Sequence, residues 1–432
     1  MLSTIKNAWH VKDIRNRMFF TLGILLIFRL GTFITVPGVD AKALTSIASS
    51  GLVSMLNMFG GGGLTNYSIF AMGVSPYITA QIVIQLLQMD IVPKFVEWSK
   101  QGEVGRRKLN QITRYLTIVL AFLQSIGITA GFNALSGLGL VKNPNWQTFV
   151  MIGIILTGGT MLVTWMGEQI TDKGLGNGIS MIIFAGIIAR LPSGIYQVYQ
   201  QWFETNPSTT QFWLYILYAV LLVIAIFLVV VFVTYVQQAE RRIPIRYTRR
   251  VTDAGDNSYL PLKVNVAGVI PVIFASSFIA TPGTILQYFS NTHSEDQWFK
   301  IMTDIFSMTT IPGSILYTVL IIVFTFFYAF VQVNPEKVAE NLQKQGSYIP
   351  SVWPGKTTQK YISGTLMRLS TVGSVFLGLV ALLPILVQNI WSLPESIGLG
   401  GTSLLIVVGV ALEAARQIEG LMMKRHYVGF IR

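Results

Sequence analysis

Hydrophobic positions along this chain gather in long unbroken runs rather than in short alternating strings. About ten such runs can be marked, most near the roughly 20 residues a helix needs to cross a hydrocarbon core. The first five lie near Met18 to Val36, Tyr67 to Met89, Tyr115 to Leu135, Thr148 to Gly167 and Ile179 to Tyr199. The others lie near Phe212 to Val236, Val266 to Tyr288, Thr310 to Val333, Leu369 to Trp391 and Leu399 to Ile418. The stretches between them leave no room for a long soluble domain. An all-α membrane protein of about ten transmembrane helices is predicted. Composition agrees, since only 12% of residues are charged, about half the share of an ordinary soluble domain.

Charge placement then sets the expected orientation. The net charge of +12 would suggest nucleic acid in a soluble protein, but beside apolar spans Lys and Arg mark the loops that stay in the cytoplasm. They concentrate in the loops Asp90 to Arg114, Gln237 to Asn265 and Asn334 to Arg368 and in the C-terminal tail, whereas the alternate loops hold little beyond Lys42, Lys142 and Lys300. Both termini are therefore expected in the cytoplasm. The first run follows Lys6, Lys12, Arg15 and Arg17 as a signal peptide would. It is too long for one, contains Arg29 and lacks a small-residue cleavage site, so it is taken as the first span.

Ten spans with both ends on one side divide naturally into an N-terminal half of five, residues 1–200, and a C-terminal half of five, residues 201–432, and an odd number per half sets the halves in opposite orientations across the membrane. If the halves are repeats they are inverted ones, and such folds tend to place the functional site between the halves near the midplane. Two local features point to an interior that is not lipid-facing. Gly60 to Gly63 interrupt the apolar pattern, and irregular backbone at membrane depth survives only inside protein or against water. The region from about Val53 to Asn66 is thus a candidate re-entrant or cavity-filling segment, with a flexible external loop as the alternative. In the next run Val74, Ile78, Gln81, Gln85 and Gln88 share one helical face. Three amides facing hydrocarbon would be costly, so the stripe is expected to meet water or another helix.

Chemical sites are excluded one by one. The chain has no cysteine, and its histidines, His10, His293 and His426, fall in predicted loops or tails, so no metal site is expected. Gly60 to Gly63 lack the Gly-Lys-Ser/Thr ending of a phosphate loop, and Gly174, Gly176 and Gly178 sit in a tight turn between spans. No catalytic residue and no cofactor is expected. An ion-coupled transporter of a small solute is the rival of a different class. Such machines usually carry ionisable groups deep in the membrane, whereas here Glu168, Arg190, Glu413 and Arg416 lie near span ends. Arg29 is the deep exception. Arginine does not release its proton near neutral pH, and pairing with carbonyls of another helix or snorkelling is its ordinary role.

Several ordered motifs nevertheless resemble those of the SecY family over nearly the whole chain. They include Phe28-Arg29-Leu30-Gly31-Thr32 with Val36-Pro37-Gly38-Val39-Asp40, Gly105-Arg106-Arg107-Lys108, Gly167-Glu168-Gln169-Ile170-Thr171, Gly176-Asn177-Gly178-Ile179-Ser180, Leu260-Pro261-Leu262-Lys263-Val264-Asn265 and Gly400-Gly401-Thr402-Ser403-Leu404-Leu405-Ile406. The resemblance implies an hourglass channel for unfolded polypeptide in the bacterial cytoplasmic membrane. Its waist would be a ring formed by Val74, Ile78, Ile183, Ile273 and Ile406, each of which alone would be taken as ordinary helix packing. It implies a plug at about 57–66, made of Asn57, Met58, Phe59, Gly60, Gly61, Gly62, Gly63, Leu64, Thr65 and Asn66. It also implies a lateral gate with Thr79, Gln85, Gln124 and Asn265 at its seam.

By the same resemblance the loops at about 237–265 and 334–368 dock a ribosome or the SecA motor. Arg241, Arg242, Arg246, Arg249, Arg250, Lys356 and Lys360 are then candidate contacts, and positive-inside topology with anionic lipid explains the same charge. Implied partners are SecE and SecG, SecA, the ribosome, signal sequences and unfolded polypeptide substrates, and anionic lipids. One departure stands in the second docking loop, where the family usually has arginine and this chain has Trp353.

Overall fold

The computed structural model describes residues 9–40, 60–89, 91–135, 140–142, 144–200, 202, 209–247, 258–293, 296–307, 310–391 and 401–428. The first half comprises α1 (Lys12–Gly31), α2 (Ser75–Leu87), α3 (Pro93–Lys100), α4 (Glu103–Leu135), α5 (Trp146–Lys173) and α6 (Gly178–Tyr199). Then follow α7 (Thr209–Gln238), β1 (Glu240–Pro244), β2 (Arg246–Tyr247), β3 (Tyr259–Lys263), α8 (Ile270–His293) and α9 (Gln297–Ile305). The chain continues through α10 (Ile311–Gln332), α11 (Pro335–Lys344), β4 (Ser347–Tyr348), α12 (Lys356–Trp391) and α13 (Gly401–Val428).

Among the described residues 6 helices, α4, α5, α6, α7, α10 and α12, are long and apolar enough to cross a membrane, and α2 and the first part of α8 are shorter apolar helices. The remaining apolar runs lie on α1 and α13. Of the six, α7 is the most apolar and the least buried, as a helix hydrophobic on every side is when it faces lipid.

The helix bounds depart from the apolar runs where backbone chemistry overrides hydropathy. The run from Tyr67 was expected to be helical throughout, yet residues 60–74 form successive turns and α2 begins only at Ser75. Gly61, Gly62 and Gly73 take φ of +62, +85 and +53°, a region that side chains with a β-carbon rarely enter. Pro76, expected inside a span, stands in the first turn of α2, where its missing N–H costs nothing. The first run also stops early: α1 ends at Gly31, and the residues beyond it bond to the turn segment. Val36 N donates to Tyr67 O at 3.0 Å and Ile69 N to Ile34 O at 3.0 Å. At the other extreme, α4 and α12 continue well past their apolar runs into the basic loops. His293 closes α8 and His426 lies near the end of α13, so these two are helix-end residues rather than loop residues.

The loops themselves are structured. β1 pairs antiparallel with β3, and β2 with β4, so the 237–265 and 334–368 segments are tied together. Ile243, Ile245, Leu262, Leu342, Ile349 and Ile362 form a small apolar core beneath them. The main core is one cluster to which α1, α2, α5, α6, α7, α8, α10, α12 and α13 all contribute. A second cluster gathers Leu64, Tyr67, Ala71, Ile128, Phe132, Ile152 and Leu156 around the turn segment.

Candidate functional site

A cavity of about 750 Å³ opens on the Lys/Arg-rich side of the molecule, between α2, α4, α5, α6, α8 and α13. Its walls carry charge of both signs: Arg106, Arg107 and Arg114 stand on α4 together with Glu103, and Glu168, Asp172 and Glu413 on α5 and α13. Arg114 bridges to Glu168 with both donor pairs, Nε to Oε1 at 3.0 Å and Nη2 to Oε2. Gln81 lines the wall. Gln85, farther along α2, keeps a buried Oε1 without a hydrogen-bond partner among the described residues.

The inner end of this vestibule is apolar, with Ile78 of α2, Ile183 of α6 and Ile273 of α8 among the lining residues. Val74 and Ile78 share a face because they are four apart, with Ile78 N bonded to Val74 O at 3.0 Å. Together with Ile406 of α13, these five side chains belong to one buried cluster, none more than 4% exposed. Branched aliphatic side chains at the end of a polar cavity hold no ion and leave water no partner, which is the chemistry of a seal by dewetting.

Of the segment singled out for its glycines, Asn57, Met58 and Phe59 lie outside the described residues. Gly60 to Asn66 are packed inside the protein. Gly63 N bonds Gly60 O at 2.9 Å and Tyr67 N bonds Leu64 O at 3.0 Å, while Leu64 is 1% exposed and Thr65 and Asn66 are half-buried. Gly61 stands so close to the Phe28 ring that a β-carbon would overlap it, and a β-carbon on Gly159 of α5 would overlap the Ile69 carbonyl. Arg29 finds its partner here rather than on another helix: Nη1 donates to Gly61 O of the turn at 2.9 Å, and the guanidinium lies 4.8 Å over the Phe33 ring. Asn66 Nδ2 donates to Thr32 O at 3.4 Å. Tyr67 anchors the end of the turn through Thr129, its hydroxyl 2.5 Å from that Oγ1.

A polar seam runs where α2 and α4 pack against α8. Thr79 Oγ1 lies 3.3 Å from Thr281 Oγ1, and Gln124 Nε2 donates to Thr281 Oγ1 at 3.3 Å. Both hydroxyls also reach carbonyls of their own helices, Thr79 to Ser75 and Thr281 to Ser277. Two protons thus serve three contacts, and the cross-seam bonds are long. Thr281 was not singled out from the sequence; its signal was only a hydroxyl next to Pro282 in an apolar run. Asn265 does not meet this cluster. Its Nδ2 donates to Gly268 O at 2.9 Å, and it lines a separate small cavity at the start of α8.

On the joined loops Arg241, Arg242, Arg246, Lys356 and Lys360 are all exposed; Arg249 and Arg250 lie outside the described residues. Arg242 pairs with Glu240 at 2.8 Å, which holds its guanidinium above the usual range, and lies 4.7 Å over the Tyr259 ring. Trp353 is 81% exposed, an apolar ring presented to solvent. No group of three or more candidate metal ligands occurs among the described residues.

Comparison with known proteins gives one consistent result. The SecY family model matches residues 68–415. The protein translocase subunit SecY 1 of Lactobacillus kefiranofaciens subsp. kefiranofaciens is 68% identical over 432 residues, covering 100% of both chains. That of Bacillus subtilis (strain 168), protein translocase subunit SecY, is 52% identical over 436 residues, again covering 100% of both. A solved protein-conducting channel shares the fold with TM-score 0.64 at 16% identity, covering 94% of this chain and 92% of that one. Sec61 in the canine ribosome–channel complex from the endoplasmic reticulum does so with TM-score 0.61 at 15% identity, over 94% and 92%.

Proposed function

This chain belongs to the SecY family of protein translocase subunits, and from that premise we propose that it acts as a passive, gated conduit for unfolded secretory polypeptide. The observation that carries the proposal is a polar, mixed-charge vestibule that reaches Ile78, Ile183 and Ile273, which share one buried aliphatic cluster with Val74 and Ile406. A threaded chain of any sequence can displace such side chains without having to break a specific bond, and they close behind it. The buried turn 60–66 fills the space beyond them as a plug, with Arg29 as its clasp. The seam at Thr79, Gln124 and Thr281 is the lateral gate, where an apolar signal helix exchanges with α8 and passes into lipid; Gln85 and Asn265 flank it without joining the bonded cluster.

The chain carries no catalytic group in this reading, so energy comes from partners. The basic loops dock SecA or a translating ribosome, and SecE and SecG complete the membrane complex. About ten spans in two inverted halves, with both termini in the cytoplasm, fit the division of charge between loops. A small-solute transporter finds no comparable support, since Glu168, the carboxylate nearest its requirements, is held by Arg114 at the vestibule wall.

The deciding experiment traps a stalled secretory chain in the complex with a photo-crosslinker placed singly at 78, 183, 273 and 406. Crosslinks to the chain at all four positions are expected. Crosslinks to lipid at those positions instead would overturn the waist.

A further inference from the structure

A second, smaller cavity of about 130 Å³ lies where α7 and α10 end, beside the β3–α8 connection and α13. Its polar lining consists of Gln237, Lys263, Asn265, Gln332, Glu413 and Arg416. Gln237 and Asn265 are only 7% and 4% exposed, yet Gln237 Nε2 and Asn265 Oδ1 have no hydrogen-bond partner among the described residues. Buried donors and acceptors are nearly always satisfied, and each exception asks for an explanation. Here a donor and an acceptor both go unused around one space.

The charges around that space are also incomplete. Two cations, Lys263 and Arg416, face one carboxylate, Glu413, which stands on the wall shared with the vestibule. Burial holds the Lys263 ammonium below the usual lysine range and Arg416 pushes it the same way, while Glu413 and Glu240 offset part of this; Glu240, opposite Lys263 in the β1–β3 ladder, lies outside the cavity and is ion-paired to Arg242. Arg416 is fixed at the site by Nη2 donating to Gln237 O at 3.3 Å. The depth is equally telling. The apolar run of α7 stops at Gln237, and α10 stops at Gln332, so the cavity sits at the level of lipid head groups on the basic side.

We propose that this cavity binds the phosphate of an anionic glycerophospholipid, with Lys263, Arg416 and the Gln237 side-chain amide as donors. A head-group hydroxyl, such as that of phosphatidylglycerol, donates to Asn265 Oδ1 and accounts for the acceptor that a bare phosphate ester oxygen would leave unused. Gly409 belongs to the same wall, where a β-carbon would come 3.4 Å from Gln237 Nε2 and press on Val269. The inference rests on the reading of the basic loops as lying at one membrane surface, and its readout requires no transport.

The test uses the full chain with its membrane partners, delipidated in detergent and titrated with phosphatidylglycerol under native mass spectrometry. One tightly held lipid is expected for the wild type, with affinity about tenfold weaker in Lys263→Gln. Arg416→Lys, which keeps the charge, is expected to retain most of the binding. Should Lys263→Gln fail to assemble, Gln237→Leu carries the same test, since it swaps an unpartnered amide for an apolar side chain of similar size. Equal retention by the wild type and these variants overturns the site, leaving a cavity filled by water. Inorganic phosphate raising the melting temperature of the delipidated complex as much as phosphatidylglycerol does would assign the phosphate chemistry to a soluble source and overturn the lipid. A failed lipid titration would leave crosslinking at the waist intact, and failed crosslinking would leave the titration readable, so the two proposals fall separately.

Discussion

The vestibule floor and the seam beside it meet along the same helix, α2, yet they are built from opposite materials. Val74 and Ile78 give α2 its share of an apolar cluster that needs no directional bond. One residue past Ile78, on another face, Thr79 enters a cluster in which its hydroxyl and that of Thr281 have two protons for three contacts, and the contacts across the seam, including that from Gln124, are 3.3 Å long. The first arrangement resists water strongly and a greasy intruder weakly. The second is held by bonds that water or a new helix can replace, each worth about 1 kcal/mol net. In the proposed channel a single helix would therefore seal along the axis and yield sideways, because burial and hydrogen bonding fail under different conditions.

The largest effect expected from breaking this contrast is at the floor. Ile273→Asn places an amide among the aliphatic side chains, and conductance of the closed complex in planar bilayers should rise on the order of tenfold or more as the waist wets. Unchanged conductance would remove Ile273 from the permeation path. Deleting residues 57–66 asks whether the floor seals alone. A leak of several-fold with normal assembly is expected, smaller than that of the asparagine variant because the aliphatic cluster remains.

The seam should respond more modestly and in another assay. Thr281→Val keeps the shape but removes the acceptor of Gln124 and the contact of Thr79, a loss of about 1 kcal/mol. That is roughly a fivefold shift toward the open seam, read as export of clients with less apolar signal sequences and as weaker crosslinking between paired cysteines across α2 and α8. Ion leak should not change; a leak as large as that of Ile273→Asn would merge the two devices into one. The smallest effect belongs to the loops. Lys356→Ala and Lys360→Ala should each weaken docking by less than about 1 kcal/mol, with the difference vanishing at high salt. Binding of ribosomes or motor at two ionic strengths measures it, and neither conductance nor signal selection should move.

How far the site was legible depended on whether its signal was periodic. The stripe Val74, Ile78, Gln81 could be seen in the sequence, since a helix repeats faithfully over that distance. Ile183, Ile273 and Ile406 sit in runs where every neighbour is equally apolar, and only resemblance to a family distinguished them. The partner of Arg29 was beyond reach, because Gly61 O is a backbone group of a distant turn. Thr281 and Gln237 were missed for a similar reason: one polar residue in an apolar run says nothing about which helix it will meet.

By itself the sequence determined that the protein is helical and made for lipid, where the basic loops fall, and that no thiol or clustered histidine chemistry is available, since length, hydropathy and residue type are properties of the chain alone. Only the tertiary structure decided that α2 begins at Ser75, that Val74, Ile78, Ile183, Ile273 and Ile406 join one buried cluster, and that Thr79, Gln124 and Thr281 converge. Those outcomes depend on backbone angles at a few glycines and on which helix faces which, and both are settled by packing among residues far apart in the chain.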